Sequence, residues 1–487
     1  MQRITAADAH RRRWELLALT SIGAFMAPLD GSIVSVALPV MSPDLGLTFS
    51  AAMWVQAAYL LTIAVLLIPL GRLADLHGRV RFYLLGIIVF TTGSLLAALS
   101  MNGPWLIGSR IVQGVGGALM VVTSAAIVTA VFLPRERGRA LGVNVMAVYI
   151  GLSVGPPLGG LLVDALGWRW IFLINLPIGL AVFIWGSMML PRAERVENVP
   201  RVDYAGAALL GLFLICLLVP LTFAPQWGWT EPATAGLLLL SAAALVAFVV
   251  VERHVADPVL DLDLLVHNRL FAAANLAALL NYMALYAISV LTAIHLEIVQ
   301  GLSATATGLL ILSQPLLMAV LSPFSGRLSD RIGSRVLTTG GMITIAAGMV
   351  LLAAMPDEAP VWQVAAYLGL VGLGMAAFSA PNASAIMGSV RRDQLSVASA
   401  MMGTMRTAGQ SLSVALLGGI AASQLGSLGS RLLFAHGDAD GTSALAGRAV
   451  EGYAQGYRYA MLVGAALALV GALVSLTRGA HAGVARQ

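Results

Sequence analysis

Long apolar segments recur throughout this 487-residue chain. A helix needs roughly 20 apolar residues to cross a bilayer, and within lipid its backbone polar groups must be bonded inside the segment. Fourteen segments meet this requirement: 14–38, 50–70, 82–100, 104–132, 140–163, 168–190, 203–224, 232–252, 270–295, 303–325, 336–355, 361–388, 396–423 and 456–477. Charged residues make up 10% of the chain, whereas soluble domains average about 25%. The sequence therefore predicts an all-α integral membrane protein with fourteen transmembrane helices.

The basic residues are distributed unevenly between alternate loops. All 28 are arginine, and 22 of them fall in the termini and loops that share a side with the N-terminus. Cytoplasmic loops carry such an excess, so the sequence predicts a multi-pass protein of the cytoplasmic membrane with both termini in the cytoplasm. Because the arginines lie in short loops between apolar segments, no nucleic-acid partner is expected.

A short loop pattern occurs twice in the chain. Residues 71–79 read GRLADLHGR, and residues 326–335, which begin 255 positions later, read GRLSDRIGSR. Each copy lies between two predicted spans on the cytoplasmic side. Secondary transporters build alternating access from repeated halves around a central site. The sequence thus predicts a six-helix half over 1–202, two inserted transmembrane helices over 203–252 and a second six-helix half over 253–487.

The repeated loop also predicts a conformational latch. Glycine permits tight turns, and an aspartate can cap a helix or pair with an arginine, which would hold the cytoplasmic side shut in one state. Ordinary cytoplasmic loop charge would account for the arginines but not for the spaced glycine and aspartate. The predicted latch residues are Gly71, Asp75, Gly78, Arg79, Asp330 and Arg331.

The fifth predicted span contains a ridge without side chains. Gly151, Gly155 and Gly159 recur every four residues and therefore share one face of a helix; we call them the glycine ridge. Pro156 removes a backbone donor and is expected to bend the same helix, and Gly160 follows the ridge. Ridges of small residues let a second helix approach closely in a bilayer, so a close helix contact is predicted here.

Two opposite charges lie inside predicted spans. Asp30 is about 8 residues and Arg110 about 6 residues from the outer ends of their spans, so they lie roughly 12 Å and roughly 9 Å deep at 1.5 Å per residue. An ionisable residue within a span is costly and commonly carries ions or protons. We expect the two charges to interact and to load and release a proton as their separation changes. The alternative is a static structural ion pair.

Five local patterns occur in the order typical of one transporter family. They are residues 29–39 (LDGSIVSVALP), the loop 71–81, residues 110–118 (RIVQGVGGA), the glycine ridge with Pro156 and Gly160, and residues 168–177 (WRWIFLINLP). On these patterns the chain resembles the major facilitator superfamily, and within it the fourteen-helix drug:proton antiporter branch, the EmrB/QacA-like multidrug exporters. The first loop departs from the family pattern at Leu76 and Val80, where basic residues are common.

The resemblance implies a fold and a function. The fold would be that of the major facilitators, with two six-helix halves and two inserted helices. The glycine ridge together with Pro156 and Gly160 would be the antiporter motif. The protein would export amphiphilic drugs or toxic small molecules from the cytoplasm by alternating access in exchange for protons, with Asp30 and Arg110 implicated in proton coupling. It would be a membrane-embedded transporter and not an enzyme, with no cofactor and no metal, acting as a monomer.

Two alternatives remain open from the sequence. One keeps the transporter but makes it a dedicated exporter of one metabolite, lipid, siderophore or antibiotic. The other is a membrane enzyme or sensor on a transporter-like scaffold, although no predicted span places a cluster of His, Asp or Cys beside a nucleophile. His295 and Glu297, at the outer end of the ninth span, could relay protons or could be interfacial groups in contact with water.

The substrate cavity is expected between the halves near the middle of the membrane. Aromatic and methionine side chains there could adapt to varied apolar ligands. The tenth span has no acidic residue, which favours monovalent cationic or neutral amphiphiles over divalent cations. The candidate lining residues are Phe25, Met26, Tyr59, Tyr149, Asn281, Tyr282, Gln314 and Arg406, together with Trp54, Tyr286 and Asn382.

Overall fold

The computed structural model describes residues 12–132, 134–189, 203–255, 258, 262–390, 395–434 and 443–478. Within these ranges all regular secondary structure is helical. The helices are α1 (Arg13–Asp44), α2 (Phe49–His77), α3 (Arg79–Ala98), α4 (Gly103–Val131), α5 (Pro134–Leu166), α6 (Trp170–Leu173), α7 (Asn175–Met189), α8 (Tyr204–Trp227), α9 (Pro232–Glu252), α10 (Leu262–His267), α11 (Arg269–Ile294), α12 (Ala304–Ile311), α13 (Ser313–Ile332), α14 (Ser334–Ala353), α15 (Val361–Gly388), α16 (Leu395–Ser423), α17 (Gly426–Leu432) and α18 (Ser443–Leu476). A π-helix, His295–Val299, continues α11.

The described part of the chain contains thirteen helical stretches that are long and apolar enough to cross a membrane. They coincide with thirteen of the predicted segments, and the prediction of an all-α membrane protein is confirmed. The remaining segment, 396–423, forms the 29-residue helix α16. That helix is not among the thirteen, because polar residues such as Arg406 and Gln410 lower its mean hydropathy.

Polar side chains fix where several helices begin. The first backbone N–H groups of a helix have no partner within it, so a side-chain acceptor just before the first turn stabilises that end. Thr48 accepts from the Ala51 N–H at 3.3 Å before α2, and Asn102 accepts from the Trp105 N–H at 2.9 Å before α4. These caps stabilise the beginnings of α2 and α4 directly after short loops.

The spanning helices pack both within and between the two predicted halves. In the first half α1 packs along α5 and α3 along α4, and in the second half α14 packs on α15 and α18. Between the halves, α5 contacts α12 and α2 contacts α16. Helices α8 and α9 pack on each other, and α8 also contacts α2 and α16, with Trp54 of α2 stacked on Phe223 at 5.9 Å. The first predicted inserted helix, α8, therefore lies beside one helix from each half, and α9 packs on α8.

Candidate functional site

Asp30 of α1 and Arg110 of α4 form an ion pair sealed within the protein. Both residues are 0% exposed, and Arg110 Nη1 donates to Asp30 Oδ2. Arg110 Nε donates to the Val55 backbone oxygen at 3.1 Å, while Nη2 has no hydrogen-bond partner among the described residues. The structure thus brings the two predicted charges into direct contact. Their role in proton coupling stays a prediction.

Neutral polar groups complete the surroundings of the Asp30 carboxylate. Gln113 and Asn175 donate their side-chain amides to Asp30 Oδ1 at 2.7 and 3.0 Å. The same amides donate to Ser94 Oγ at 2.7 and 3.2 Å. Helices α1, α3, α4 and α7 therefore meet at one carboxylate. No sequence signal marks these three neutral residues as partners of Asp30, although Gln113 follows Arg110 by about one helical turn and so shares its face.

Tyr59 of α2 separates this ion pair from the space between the halves. The Arg110 guanidinium lies over the Tyr59 ring, 4.2 Å from its centroid. The Tyr59 hydroxyl donates to the Ala27 backbone oxygen at 2.9 Å, which fixes the ring. Tyr59 lines the central cavity, whereas Asp30 does not. The ring of Tyr59 therefore contacts the buried ion pair and also forms part of the cavity wall.

The glycine ridge packs against α1, the helix that carries Asp30. A Cβ on Gly155 would lie 2.9 Å from Ser32 Cβ and 3.0 Å from the Ile33 backbone nitrogen, too close for a side chain. Ser32 also donates to the Gly151 backbone oxygen at 3.3 Å. The close helix approach predicted from the ridge is present, and its partner is the segment of α1 on either side of the carboxylate.

Gly160 lies outside the ridge and meets the other half of the protein. A Cβ there would lie 2.6 Å from the Ala304 backbone carbon, at the start of α12. Beside this contact, the Asp164 carboxylate accepts from the Thr305 N–H at 2.8 Å and so caps α12 from the other half. Helix α5 therefore contacts the Asp30 helix through the glycine ridge and the second half through Gly160 and Asp164.

The central cavity is formed by both halves. Six predicted residues lie in its wall, which also includes Pro156, Gln56, Gln410, Met318, Met375 and several small residues. Tyr149 and Ser379, one from each half, share a hydrogen bond of 3.0 Å between their hydroxyls. Gln56 likewise donates to the Tyr286 hydroxyl at 3.0 Å. The six predicted residues are Tyr59, Tyr149, Tyr282, Tyr286, Gln314 and Arg406.

Five predicted cavity residues do not lie in this wall. Met26 is 0% exposed within the core, and Phe25 packs against the same core. Asn281 donates to Met375 Sδ at 3.3 Å, behind the wall. Trp54 faces Phe223 on an inserted helix, as described above. Asn382 accepts from the Arg478 guanidinium, so this amide has a structural partner outside the cavity.

Gly78 and Gly333 end α2 and α13 at equivalent positions of the repeated loop. Their φ angles are +109° and +86°, in the region that favours glycine. Their N–H groups donate to the backbone oxygens of Ala74 and Ser329 at 2.8 and 2.9 Å, which closes the last turn of each helix. The two copies of the loop thus share a glycine-terminated helix.

The other predicted latch residues behave differently from one another. Gly71 lies inside α2 against α4, so the expected turn at this position is wrong: the helix continues, and glycine serves close packing. Arg79 donates to a backbone oxygen of α4 at 3.3 Å, and Arg331 is exposed. The side chains of Asp75 and Asp330 lie outside the described residues, so the latch stays a prediction.

Alanine at Gly78 or Gly333 is expected to lower stability. A Cβ at this φ strains the backbone by about 1–2 kcal/mol. Thermal unfolding of each purified variant in detergent should therefore occur below that of the wild type. Gly340→Ala is the matched control, because Gly340 lies within helix α14 with open space around its Cα. Equal unfolding temperatures for all three variants would contradict the assigned backbone strain.

The second pair of titratable candidates lies where α11 passes into the π-helix. The His295 ring stacks on Tyr457 with 4.6 Å between centroids, and neither ring nitrogen has a hydrogen-bond partner among the described residues. Glu297, two residues later, is half-buried. These groups lie at the end of α11, whereas Asp30 and Arg110 belong to α1 and α4. A proton relay through His295 and Glu297 stays a prediction.

A model of the Major Facilitator Superfamily matches residues 20–259 and 274–484 of the chain. The chain belongs to the major facilitator superfamily. Its two halves, central cavity and membrane-spanning helices are the architecture of a multi-pass membrane transporter of small molecules. The transporter prediction is confirmed at this level.

Curated relatives include transporters of several substrates. The chain is 33% identical over 383 residues to the riboflavin transporter RibZ of Clostridioides difficile, covering 78% of this chain and 82% of that protein. It is 35% identical over 389 residues to the multidrug resistance protein Stp of Mycobacterium tuberculosis, covering 79% and 72%. It is also 34% identical over 380 residues to a probable actinorhodin transporter of Streptomyces coelicolor, covering 75% and 65%.

A solved structure supports the fold. A bacterial homologue of the human lysosomal transporter Spinster is similar to this facilitator with a TM-score of 0.65 over 95% of this chain and 96% of that chain. Their sequences are 16% identical, so this likeness concerns architecture alone. The predicted major facilitator fold is confirmed.

Proposed function

We propose that this facilitator is a proton-coupled antiporter that exports amphiphilic drugs or toxic small molecules from the cytoplasm. The observation that carries the proposal is the sealed Asp30–Arg110 pair, an ionisable carboxylate held at membrane depth one aromatic ring away from the cavity. Relatives named as multidrug resistance proteins, Stp and the transporter MdtP of Bacillus subtilis, support drugs as the cargo. The proposal includes the fourteen-helix branch, cytoplasmic termini and a monomer with halves 1–202 and 253–487.

The hydrogen-bond network suggests how a proton would change the pair. The ionised carboxylate accepts from Arg110, Gln113 and Asn175. A proton on Asp30 removes the charge that holds Arg110 and turns one carboxyl oxygen into a donor. Because breaking a buried ion pair costs about 3–5 kcal/mol, protonation and movement between α1 and α4 would be strongly linked. The carboxylate would load from the outer solution and release its proton inside.

Helix α5 offers a route from this pair to the second half. The glycine ridge packs on α1 beside Asp30, while Gly160 and Asp164 contact the start of α12. A shift of α1 would therefore move α5 and, through it, the contact between the halves. This is the arrangement that alternating access requires, since the halves rock around a central site.

Inverted membrane vesicles provide the direct test. A proton gradient, acidic inside, should drive uptake of substrate dyes from a panel of unrelated amphiphiles, and an ionophore that collapses the gradient should stop it. Vesicles without the transporter give the background. Dye uptake that is unchanged by the ionophore, or that requires added ATP, would contradict proton coupling.

A dedicated exporter is the second candidate, because several relatives are named for single compounds. These include riboflavin, actinorhodin, tetracenomycin C and puromycin. The same panel separates the two candidates: uptake of one chemical type only would favour the dedicated exporter, and uptake across types would favour multidrug export.

A further inference from the structure

The described wall of the central cavity carries its formal charge in the second half only. Among the described residues of its wall, Arg406 of α16 is the only one that carries a formal charge, and the first half contributes none. The carboxylate of Asp30 is not part of the wall and is already paired with Arg110. From the described part of the wall, a substrate in this cavity therefore meets a positive charge and no negative one.

Arg406 differs from Arg110 in having no counter-charge among the residues that the structure describes. Within the part of the chain that the structure describes, it makes no ion pair or side-chain hydrogen bond, and it is half-buried. It lies 11 residues after the start of α16, roughly 16 Å along the helix. An unpaired cation at membrane depth is costly, and a bound anion would compensate it.

The rest of the wall suits the same kind of ligand. Gln410 follows Arg406 by one helical turn, and Tyr282 lines the same cavity. Amide and phenol groups can donate hydrogen bonds to an oxyanion beside the arginine. Aromatic faces can attract a cation, and one of them, the ring of Tyr59, is already covered by the Arg110 guanidinium.

The Asp30–Arg110 pair adds no attraction for cationic substrates. With Asp30 ionised, the buried pair is neutral, and with Asp30 protonated it carries the charge of Arg110. In neither state does it present net negative charge to the cavity. The absence of an acidic residue from the tenth span favours monovalent cationic or neutral amphiphiles over divalent cations. In the structure the carboxylate of Asp30 does not line the cavity and is paired with Arg110, so it offers a cation no counter-charge.

We propose that the cavity selects amphiphilic aromatic anions, whose acidic group binds Arg406, over cations of the same shape. This inference deepens the proposed export function and rests on it for the use of the cavity. Aromatic faces of Tyr149, Tyr282 and Tyr286 pack on the ring system, and Arg406 sets the charge preference. Neutral ligands of the same scaffold bind with intermediate affinity.

Matched xanthene dyes test the preference directly. Fluorescein is anionic and a rhodamine ester is cationic, on the same ring scaffold. Equilibrium binding to the full-length transporter in neutral-lipid nanodiscs, followed by fluorescence anisotropy without a gradient, should show fluorescein binding at least about tenfold tighter, or about 1.4 kcal/mol. Equal affinities, or tighter binding of the rhodamine ester, would overturn the proposal.

Variants of Arg406 assign the preference to this side chain. Arg406→Gln should weaken fluorescein binding by about tenfold or more, corresponding to about 1.4 kcal/mol, and leave rhodamine binding unchanged or tighter. Arg406→Lys keeps the charge and should retain most of the fluorescein affinity, which separates charge from packing. An unchanged ratio of the two affinities in Arg406→Gln would overturn the assignment. Loss of both dyes in both variants would instead assign Arg406 a structural role and would also overturn it.

This experiment is independent of proton coupling. It measures binding at equilibrium, so a transporter that does not use a proton gradient would still show the charge preference. Conversely, gradient-driven uptake of rhodamine but not fluorescein in inverted vesicles would support the proposed coupling and contradict the preference.

Discussion

Replacing Asp30 with asparagine is expected to abolish proton-driven export. Asparagine keeps the shape of the side chain and one oxygen acceptor for Gln113 and Asn175, but it cannot bind and release a proton between pH 5 and 9. Gradient-driven uptake into inverted vesicles should fall by about 100-fold, which corresponds to about 2.7 kcal/mol. Equilibrium dye binding without a gradient should be largely retained, because Asp30 does not line the cavity.

The control for this variant is a second aspartate paired with an arginine. Asp357 accepts from Arg458 at 2.9 Å, but both side chains are nearly half exposed. Exposed ion pairs contribute about 0–1 kcal/mol, so Asp357→Asn should transport at a rate close to the wild type. Removing one partner of a buried pair costs about 3–5 kcal/mol, so the amount of folded Asp30→Asn must be measured by size-exclusion chromatography. Well-folded Asp30→Asn that still pumps normally would exclude this carboxylate from coupling.

The buried charge pair was predictable from sequence because it depends on two strong signals. A charge within an apolar span is rare, and counting residues from the span ends places Asp30 and Arg110 at similar depth. Gln113, Asn175 and Ser94 carry no such signal, since neutral polar residues occur on many helix faces. Their convergence on one carboxylate depends on how four helices are rotated about their axes, which residue counting does not provide.

The lining of the cavity likewise depends on how each helix is rotated about its axis, which the sequence does not give. Residue type and depth predict Tyr59, Tyr149 and Tyr282 as lining residues, and they line the wall. The same criteria predict Phe25 and Met26, yet these pack within the core beside wall residues of the same helix. Neighbouring positions on a helix differ by about 100° in direction, so the face turned to the cavity becomes known only from packing.

The sequence predicts that another helix packs closely on the glycine ridge, but it does not predict which helix. Spacing of four residues defines a bare face on α5, whereas the identity of α1 as the helix that fills it follows from the fold. The contact between the glycine ridge and α1 lies beside Asp30. The ridge, which the sequence predicts only as a packing surface, therefore touches the helix that carries the buried charge.

Leucine at Gly155 should therefore impair transport while sparing the fold. Its Cβ would lie 2.9 Å from Ser32 Cβ and 3.0 Å from the Ile33 backbone nitrogen, so α1 and α5 must move apart beside Asp30. Overpacking of this kind costs about 1–3 kcal/mol, which a membrane protein of this size can tolerate. We expect gradient-driven uptake to fall by about tenfold or more, equivalent to about 1.4 kcal/mol, and Gly155→Ala to show a smaller loss because its side chain is smaller.

Gly108→Leu is the control that separates a specific helix contact from the general effect of adding bulk. Gly108 is an exposed position on α4, two residues before Arg110, with open space around it. Leucine there should leave uptake close to the wild type, although it is nearer in sequence to the charged site than Gly155 is. Normal uptake by Gly155→Leu would show that α1 and α5 need not approach closely. The movement of the Asp30 helix would then have to reach the second half by another route, such as the direct contact of α1 with α11.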